Sequence, residues 1–590
     1  GAAPSRDWHG SGGAVWIAPA ALQLIPTFDR ERKIVPELPT ADADAESHTE
    51  AQGRILSGTA MRPRVSRSRR ASPSIGFTQE GIDAAEAGGF MPADVSIGVS
   101  QSYLGETVNS AVAWWRIGAG FSSSPIRQLG DFFSTTAINR HTDQMSDPRL
   151  LFDATSGRWF FVAFDVTRAE TDLAVSMSDD PTGSWWIYAF ASAGCPDQPR
   201  LAVTDAMVAI SYDLFSSCIT RQQPYVGGVI RLFDKSAMLT GAAPTSSVFG
   251  PDARFVGITP VALLSGGSTL FFVSTDYLLS QVVIYTATSP TQASIPIQRA
   301  AVAFLRKAPP PNQLGTSTTV DPGDNRVQDA FLLGGNIWLA ADDGCTVGGA
   351  FNACIRYEEI TPGGQVLDQR EEALAAGRSA MYPAFRPDGA GTLISVFGFS
   401  SPGDYPGLGV DIDPGHGSGY SELKDGTSFN ASGRWGDYFS AAYDPADNTR
   451  VWVAGAYGSA VGWGTEIAAL STTPFTITNP TPPPIPVPHD ARPPTVTALS
   501  SAGPLGGLVS LRYRLSDDSK RTREIITVYR GSAVVKIINT AMNAIANGSV
   551  YSAAWHAPRG TRADKFCVVA VDPAGNRSSR SCASLRLEKG

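Results

Sequence analysis

The chain has 590 residues, 43% of them hydrophobic and only 17% charged, with 59 glycines and 42 prolines. That length exceeds a single hydrophobic core, and a turn-rich, charge-poor composition excludes a disordered chain and points to an all-β protein of two or more domains. A formal net charge of −8 excludes broad nucleic-acid binding, which needs a basic face.

Residues 1–72 read as an N-terminal arm or propiece, carrying an acidic run (ADADAES) and a basic one (RVSRSRR). Arg64, Arg67, Arg69 and Arg70 are taken as solvated charge. The most apolar early stretch, AVWIAPAALQLIP, is too short to cross a membrane as a helix and holds two prolines. With the opening GAAPS, the chain reads as a mature secretory product rather than a membrane-embedded one.

Residues 73–479 carry a pattern that recurs seven times: a polar residue, an apolar run, a turn, and a second apolar run. The polar lead residues are Asp94, Asp147, Gln198, Thr259, Gln328, Tyr382 and Tyr438. The five residues after them read VSIGV, PRLLF, PRLAV, PVALL, DAFLL, PAFRP and FSAAY. The second runs include RWFFVAF, MVAISY, NIWLAA and RVWVAGAY. A period of about 50 to 70 residues with hairpin-opened units predicts a seven-bladed β-propeller of four-stranded blades. In the second copy the strands are PRLLF, RWFFVAF, TDLAVSM and WWIYAF; in the last they are FSAAY, RVWVAGAY, TEIAAL and FTIT. The segment SIGFTQ before Asp94 is expected to close the ring, because an open sheet edge is a liability.

Residues 480–494 form a proline-rich spacer. Residues 495–590 alternate strictly between apolar and polar (VSLRYRLS, EIITVYRG, AVVKII, VYSAAW, KFCVVAVD, ASLRL) and predict an immunoglobulin-like or fibronectin-III-like β-sandwich. The fold class is therefore all-β, a seven-bladed propeller plus a C-terminal immunoglobulin-like sandwich.

Six cysteines fall in neighbouring pairs, Cys195 with Cys218, Cys345 with Cys354 and Cys567 with Cys582, without zinc spacing. Three disulfides and an oxidising compartment follow. The sequons at Asn430, Asn547 and Asn576 mark surface loops where the host glycosylates.

If the first strand of each blade faces the axis, the seven lead residues surround one opening and offer a ligand site with Arg149 and Arg200. Arg326, Arg434 and Asp437 lie within a few residues and add charge of both signs. The same polar groups also suit backbone hydrogen bonding between blades. Asp94, Asp147 and Asp437 are candidate acid, base or nucleophile for glycoside hydrolysis, with Tyr382 or Tyr438 as an alternative nucleophile. There is no GxSxG, HExxH or Walker segment, and six scattered histidines argue against a His site. Asp411 and Asp413 in GVDIDPGHGSGY are ligands of the kind Ca²⁺ takes, but the remaining donor pattern is missing, so no cofactor is expected. Trp114–Trp115 and Trp185–Trp186 fit core packing better than a sugar platform.

The segment SDDPTGSWW (178–186) resembles the Asp-box turn of sialidase-type propellers, with one extra residue before its glycine. SDPRLLFDATSGRWFFVAFD and GRWGDYFSAAYDPADNTRVWVAGAY are similar to stretches of large secreted bacterial propeller proteins. The resemblance covers residues 85–480 and implies the fold and secretion; the arginine triad and Tyr/Glu pair of sialidases have no counterpart in VIRLF or PIRQL. The leading expectation is an extracellular or cell-surface binding or assembly protein recognising a glycan or another surface protein. A glycoside hydrolase with a carboxylate/tyrosine site remains an alternative, as does a surface subunit that self-assembles through its arm.

Overall fold

The computed structural model describes residues 73–589 except 119–120, 219–223, 265, 277–278, 304, 416–418, 474–491, 519, 541–542, 559–561 and 573–576, together with the backbone of Trp8–His9 and Ala20–Ala21. The rest of the arm, the spacer through residue 491, the expected strand FTIT, His416 and Asn576 lie outside the described residues. The described chain is nearly all β, with two four-residue helices at Leu129–Phe132 and Lys235–Met238. It divides into two compact units, one before and one after the proline-rich segment.

Among the described residues, the first unit holds seven sheets of four or five strands, whose core strands follow one another in sequence as antiparallel meanders, and one two-stranded sheet. The first sheet opens with Ser96–Val99, Tyr103–Val108 and Ala111–Arg116. The second comprises Met145–Asp153, Arg158–Asp165, Glu170–Ser176 and Trp185–Ala191. Its third and fourth strands are joined by the SDDPTGSWW turn, where Asp180 Oδ1 accepts the Thr182 N–H at 2.9 Å and the Trp185 indole donates to the Pro181 carbonyl at 2.9 Å.

The third to sixth sheets open on the inner strands Cys195–Val203, Thr259–Pro260, Val327–Leu333 and Ser379–Pro387. The seventh contains Ser440–Tyr443, Arg450–Ser459 and Gly462–Ser471. Its fourth strand is Ser74–Asp83, which pairs antiparallel with Gly462–Ser471 and so ties the two sequence ends of this unit together. Ala20–Ala21 adds to the edge of the second sheet through Trp186 and Ile187, and Trp8–His9 pairs with Ser294–Ile295. Both described pieces of the arm thus pair with their own chain.

The continuous apolar runs have a physical reason. In Arg158–Asp165 every residue after the first is buried, because both faces of the strand are covered. Trp159 and Phe161 pack toward Trp114 of the first sheet, while Phe160 and Val162 pack toward Val208 and Ile210 of the third. Alternate side chains of one strand serve two neighbouring interfaces. The same division recurs in Asn336–Val347: Ile337 and Leu339 join Val273 and Ile284, whereas Trp338 joins Phe385 and Phe397. The third and fourth sheets meet through Ala209, Ile230, Phe272 and Tyr285. Ile97, Val396 and Val453 then share one cluster that brings the sixth and seventh sheets back to the first. Contacts between sheets therefore run in one cyclic order. Trp114, Trp115 and Trp185 are core residues, and burial of such side chains contributes about 1.5–3 kcal/mol each.

The second unit differs in period. Leu508–Ser516 buries every other residue, as one covered face requires. Val509, Leu511, Tyr513 and Leu515 pack with Ile526, Val528, Phe566 and Val568 across two facing sheets. The three expected disulfides are formed: Cys195–Cys218, Cys345–Cys354 and Cys567–Cys582. One sequence expectation is corrected. Asn430 lies between exposed residues, yet its own side chain is fully buried, its amide donating to the Arg434 carbonyl at 3.0 Å. Asn547 is exposed. Among the described residues no helix is long and apolar enough to cross a membrane.

Candidate functional site

The inner strands begin in a conformation that side chains usually avoid. Asp94, Asp147, Gln198 and Tyr382 have φ values of 51°, 51°, 45° and 57°. Left-handed residues other than glycine cost on the order of 1–3 kcal/mol each unless their surroundings hold them. Here carboxylates and amides from neighbouring strands do so. Asp147 N–H donates to Asn109 Oδ1 at 2.7 Å, Gln198 N–H to Asp147 Oδ2 at 3.2 Å, and Tyr382 N–H to Asp342 Oδ1 at 2.9 Å. Asp437 N–H donates to Asp94 Oδ1 at 3.0 Å, and Gly257 N–H to Asp213 Oδ1 at 3.0 Å. Each bond satisfies a main-chain donor that the inner strand leaves without a ladder partner.

The remaining lead residues are also engaged. The Tyr438 hydroxyl donates to the Pro148 carbonyl at 3.0 Å, and the Tyr382 hydroxyl donates to the Asp321 carbonyl. Burial pushes both phenols well above their ordinary pKa. Thr259 Oγ1 donates to the Val327 carbonyl at 2.6 Å, and Gln328 Nε2 donates to Asp342 Oδ2 at 3.2 Å. Gln198 Oε1 accepts from Arg326 Nη1 at 2.6 Å, and its Nε2 faces Asp437 Oδ2 at 3.4 Å. Asp437 also pairs with Arg434 at 2.7 Å. All seven lead residues lie at the buried starts of inner strands.

Two spaces adjoin these groups. Gln198, Asp321, Asp324, Arg326, Gln328 and Asp437 enclose only about 10 Å³, room for no more than a water. A cavity of about 460 Å³ runs along the inner strands instead, from Arg149, Arg200, Thr259 and Gln328 to the first turns at Asp153–Thr155, Thr204, Gly266 and Pro445. Asp94, Asp147, Tyr382 and Tyr438 line neither space. The structure thus brings Arg149, Arg200, Thr259 and Gln328 to one cavity, sets Gln198 at the small space, and gives Asp94, Asp147, Tyr382 and Tyr438 to the strand junctions.

Two carboxylates line the large cavity, and each is neutralised. Asp153 Oδ2 lies 2.6 Å from Lys235 Nζ, and Asp329 Oδ2 lies 2.5 Å from Arg386 Nη1. Arg149 lies over the ring of Tyr438, its guanidinium carbon 3.2 Å from the centroid. Arg200 is buried, and burial together with nearby Arg326 and Arg149 pushes its pKa down to about 10. Asp411 sits beside Glu372, whose carboxyl burial and the Asp411 charge push upward; Asp413 Oδ1 takes a hydrogen bond from Arg370 at 2.7 Å. Among the described residues no three His, Cys, Asp or Glu side chains converge as metal ligands.

Sequence reasoning missed Asn109, Asp213, Asp342, Asp329 and Arg386. A signal was present for the first three: a side-chain amide or carboxylate at the end of the second apolar run, in VNS, SYD and AAD. These residues cap the lead residue of a neighbouring sheet or loop, a pairing that sequence order hides.

No known protein family matches the chain, and no curated protein matches it in sequence. Solved structures resemble it at low identity. A protein of unknown function from Dyadobacter fermentans is 11% identical, covering 68% of this chain and 98% of its own, with a TM-score of 0.35. The Hadza microbial sialidase Hz136 is 11% identical, covering 65% and 66%, with a TM-score of 0.33. The Bombyx mori GH32 beta-fructofuranosidase BmSUC1 is 11% identical, covering 75% and 86%, with a TM-score of 0.27. At these values none lends an activity to this chain.

Proposed function

We propose that this is a secreted binding or assembly protein, built from a seven-bladed β-propeller (73–479) and an immunoglobulin-like module (495–590) on the 480–494 spacer, whose propeller channel recognises a glycan. The cyclic order of inter-sheet contacts and the Ser74–Asp83 closure support the propeller reading. Three disulfides support an extracellular setting. One observation carries the function: a channel cavity of ligand size is lined by polar groups, while its two carboxylates are locked to cations and the other candidate carboxylates and tyrosines serve strand junctions. A general acid or nucleophile must reach its substrate, and these groups do not offer that reach.

Glycan-array retention of the full chain, run beside a panel of chromogenic glycosides, tests the reading. Retention of one glycan class without turnover is expected. Retention only by proteins of a cell envelope would replace the glycan with a surface protein. Turnover lost in Asp153→Asn would replace binding with hydrolysis.

A further inference from the structure

We infer that Arg149 and Arg200 form an oxyanion fork inside the channel, which takes the carboxylate or sulfate group of an acidic sugar. The inference deepens the glycan reading above and rests on it for the sugar, not for the anion.

Three other buried arginines of the unit meet carboxylates, whereas Arg231 gives its Nη1 to the Ala191 carbonyl. Arg140 Nε lies 2.7 Å from Asp172, Arg326 Nε lies 2.8 Å from Asp324, and Arg356 Nε lies 3.1 Å from Asp343. Arg149 and Arg200 have no such partner among the described residues. Arg200 is 3% exposed, and its bonds to the Gln198 carbonyl and Oε1 are long, 3.4 and 3.3 Å. Its Nε is buried without a hydrogen bond, as are Nε and Nη2 of Arg149. Three guanidinium nitrogens that lack a hydrogen bond, and are themselves shielded, thus belong to the two arginines that line one cavity. Leaving such donors dry and unpaired is costly, and an oxyanion restores both charge and hydrogen bonds.

The surroundings make this charge specific to the fork. Arg386 and Asp329 neutralise each other in the same cavity, and Asp153 is held by Lys235. The chain as a whole is acidic, at −8, so the cationic spot is not part of a general basic surface. Guanidinium forks match the planar oxygens of carboxylate and the tetrahedral oxygens of sulfate. A cavity of about 460 Å³ leaves room for a sugar ring behind the anion.

Isothermal titration of the full chain with glucuronic acid, N-acetylglucosamine 6-sulfate, their neutral counterparts, and sodium sulfate or acetate alone tests the fork. The acidic sugars should bind roughly ten- to hundred-fold more tightly than the neutral ones, with sulfate competing. Arg200→Gln should erase that difference, and Arg149→Lys, which keeps the charge but loses the planar fork, should reduce it. Thermal melts guard against a folding artefact: Arg200→Gln, relieved of an unpaired buried charge, should melt no lower than the parent while losing the anion-dependent rise in Tm. Equal binding of neutral and acidic sugars, unchanged in Arg200→Gln, would overturn the fork and leave glycan recognition standing. Binding of sulfate and acetate without any sugar would support the fork and overturn glycan recognition. No anion-dependent binding or Tm shift would sink the fork outright.

Discussion

Asp94 and Asp437, 343 positions apart in sequence, meet where Asp94 Oδ1 accepts the Asp437 N–H at 3.0 Å. The other Asp94 oxygen accepts Asn109 Nδ2 at 2.6 Å. A single fully buried carboxylate thereby joins the first inner strand, the turn that follows its neighbour, and the approach to the last inner strand. Its own φ of 51° means that the two hydrogen bonds also hold a strained backbone.

Asp94→Ala should therefore cost more than an ordinary side-chain deletion. It removes an acceptor from the part-buried Asp437 N–H and one of two acceptors from the buried Asn109 amide, which keeps the Pro92 carbonyl, a combined loss of about 1–3 kcal/mol. Asp94→Asn, which tolerates the left-handed backbone and keeps one acceptor oxygen, should lose less. Urea denaturation of both variants measures the difference, and equal stabilities would contradict the role given to Asp94.

Glu106 predicts how stability depends on pH. It is buried against the closing strand, its Oε2 accepting the Ile82 N–H at 2.9 Å, and burial pushes its pKa from the ordinary 4.5 to about 7. The folded protein thus holds this proton at pH values where the unfolded chain has lost it. Its contribution is fully present below pH 4.5 and is lost as the pH rises through 7. Glu106→Gln should flatten the fall in Tm over that interval. A slope unchanged by the substitution would show that another group sets it.

Arg140 is the cation on which a buried acidic cluster depends. Its Nε lies 2.7 Å from Asp172 and 3.1 Å from Asp165, and its Nη2 lies 2.5 Å from Glu170. Burial, and for Asp165 the neighbouring Asp172 charge, already raises the aspartates, to about 7 for Asp165 and about 6 for Asp172. Arg140→Ala should destabilise by about 3–5 kcal/mol at neutral pH, the cost of uncompensated buried charge. The defect should shrink at pH 5, where the carboxyls take up protons. Chemical denaturation at both pH values checks this.

Cys195 and Cys218 close a loop across a sequence separation of 23. Loop-closure entropy assigns this bond about 3 kcal/mol. The paired change Cys195→Ala with Cys218→Ala should lower the denaturation midpoint, and a reductant should lower it for the parent but not further for the variant at this site. A parent insensitive to reductant would remove the support this bond lends to an oxidising compartment.

How much could be read in advance follows from the range of the interactions. Strand positions in Arg158–Asp165 and Leu508–Ser516 were legible because burial imprints a local pattern: continuous where both faces are covered, alternating where one is. The polar lead residues were visible as breaks in that pattern. Their partners were not, since Asn109, Asp213 and Asp342 act across sheet boundaries and leave only a recurrent Asx after the second apolar run. Asn430 shows the opposite error: in a sequon whose Ala431 and Ser432 are exposed, the asparagine side chain itself is buried, its amide donating to the Arg434 carbonyl.

Hydrophobic periodicity, turn residues and cysteine pairing are properties of neighbouring residues, so the linear chain alone was enough to specify strands, sheets and crosslinks. Which polar groups would be consumed by the scaffold and which would stay open depended on contacts hundreds of residues long. Folding placed an acceptor beside the hydroxyls of Tyr382 and Tyr438 and donors beside Asp94, but no acceptor beside three guanidinium nitrogens of Arg149 and Arg200. That assignment is a matter of three-dimensional proximity, since a hydrogen bond is decided within about 3 Å and no spacing along the chain encodes that distance.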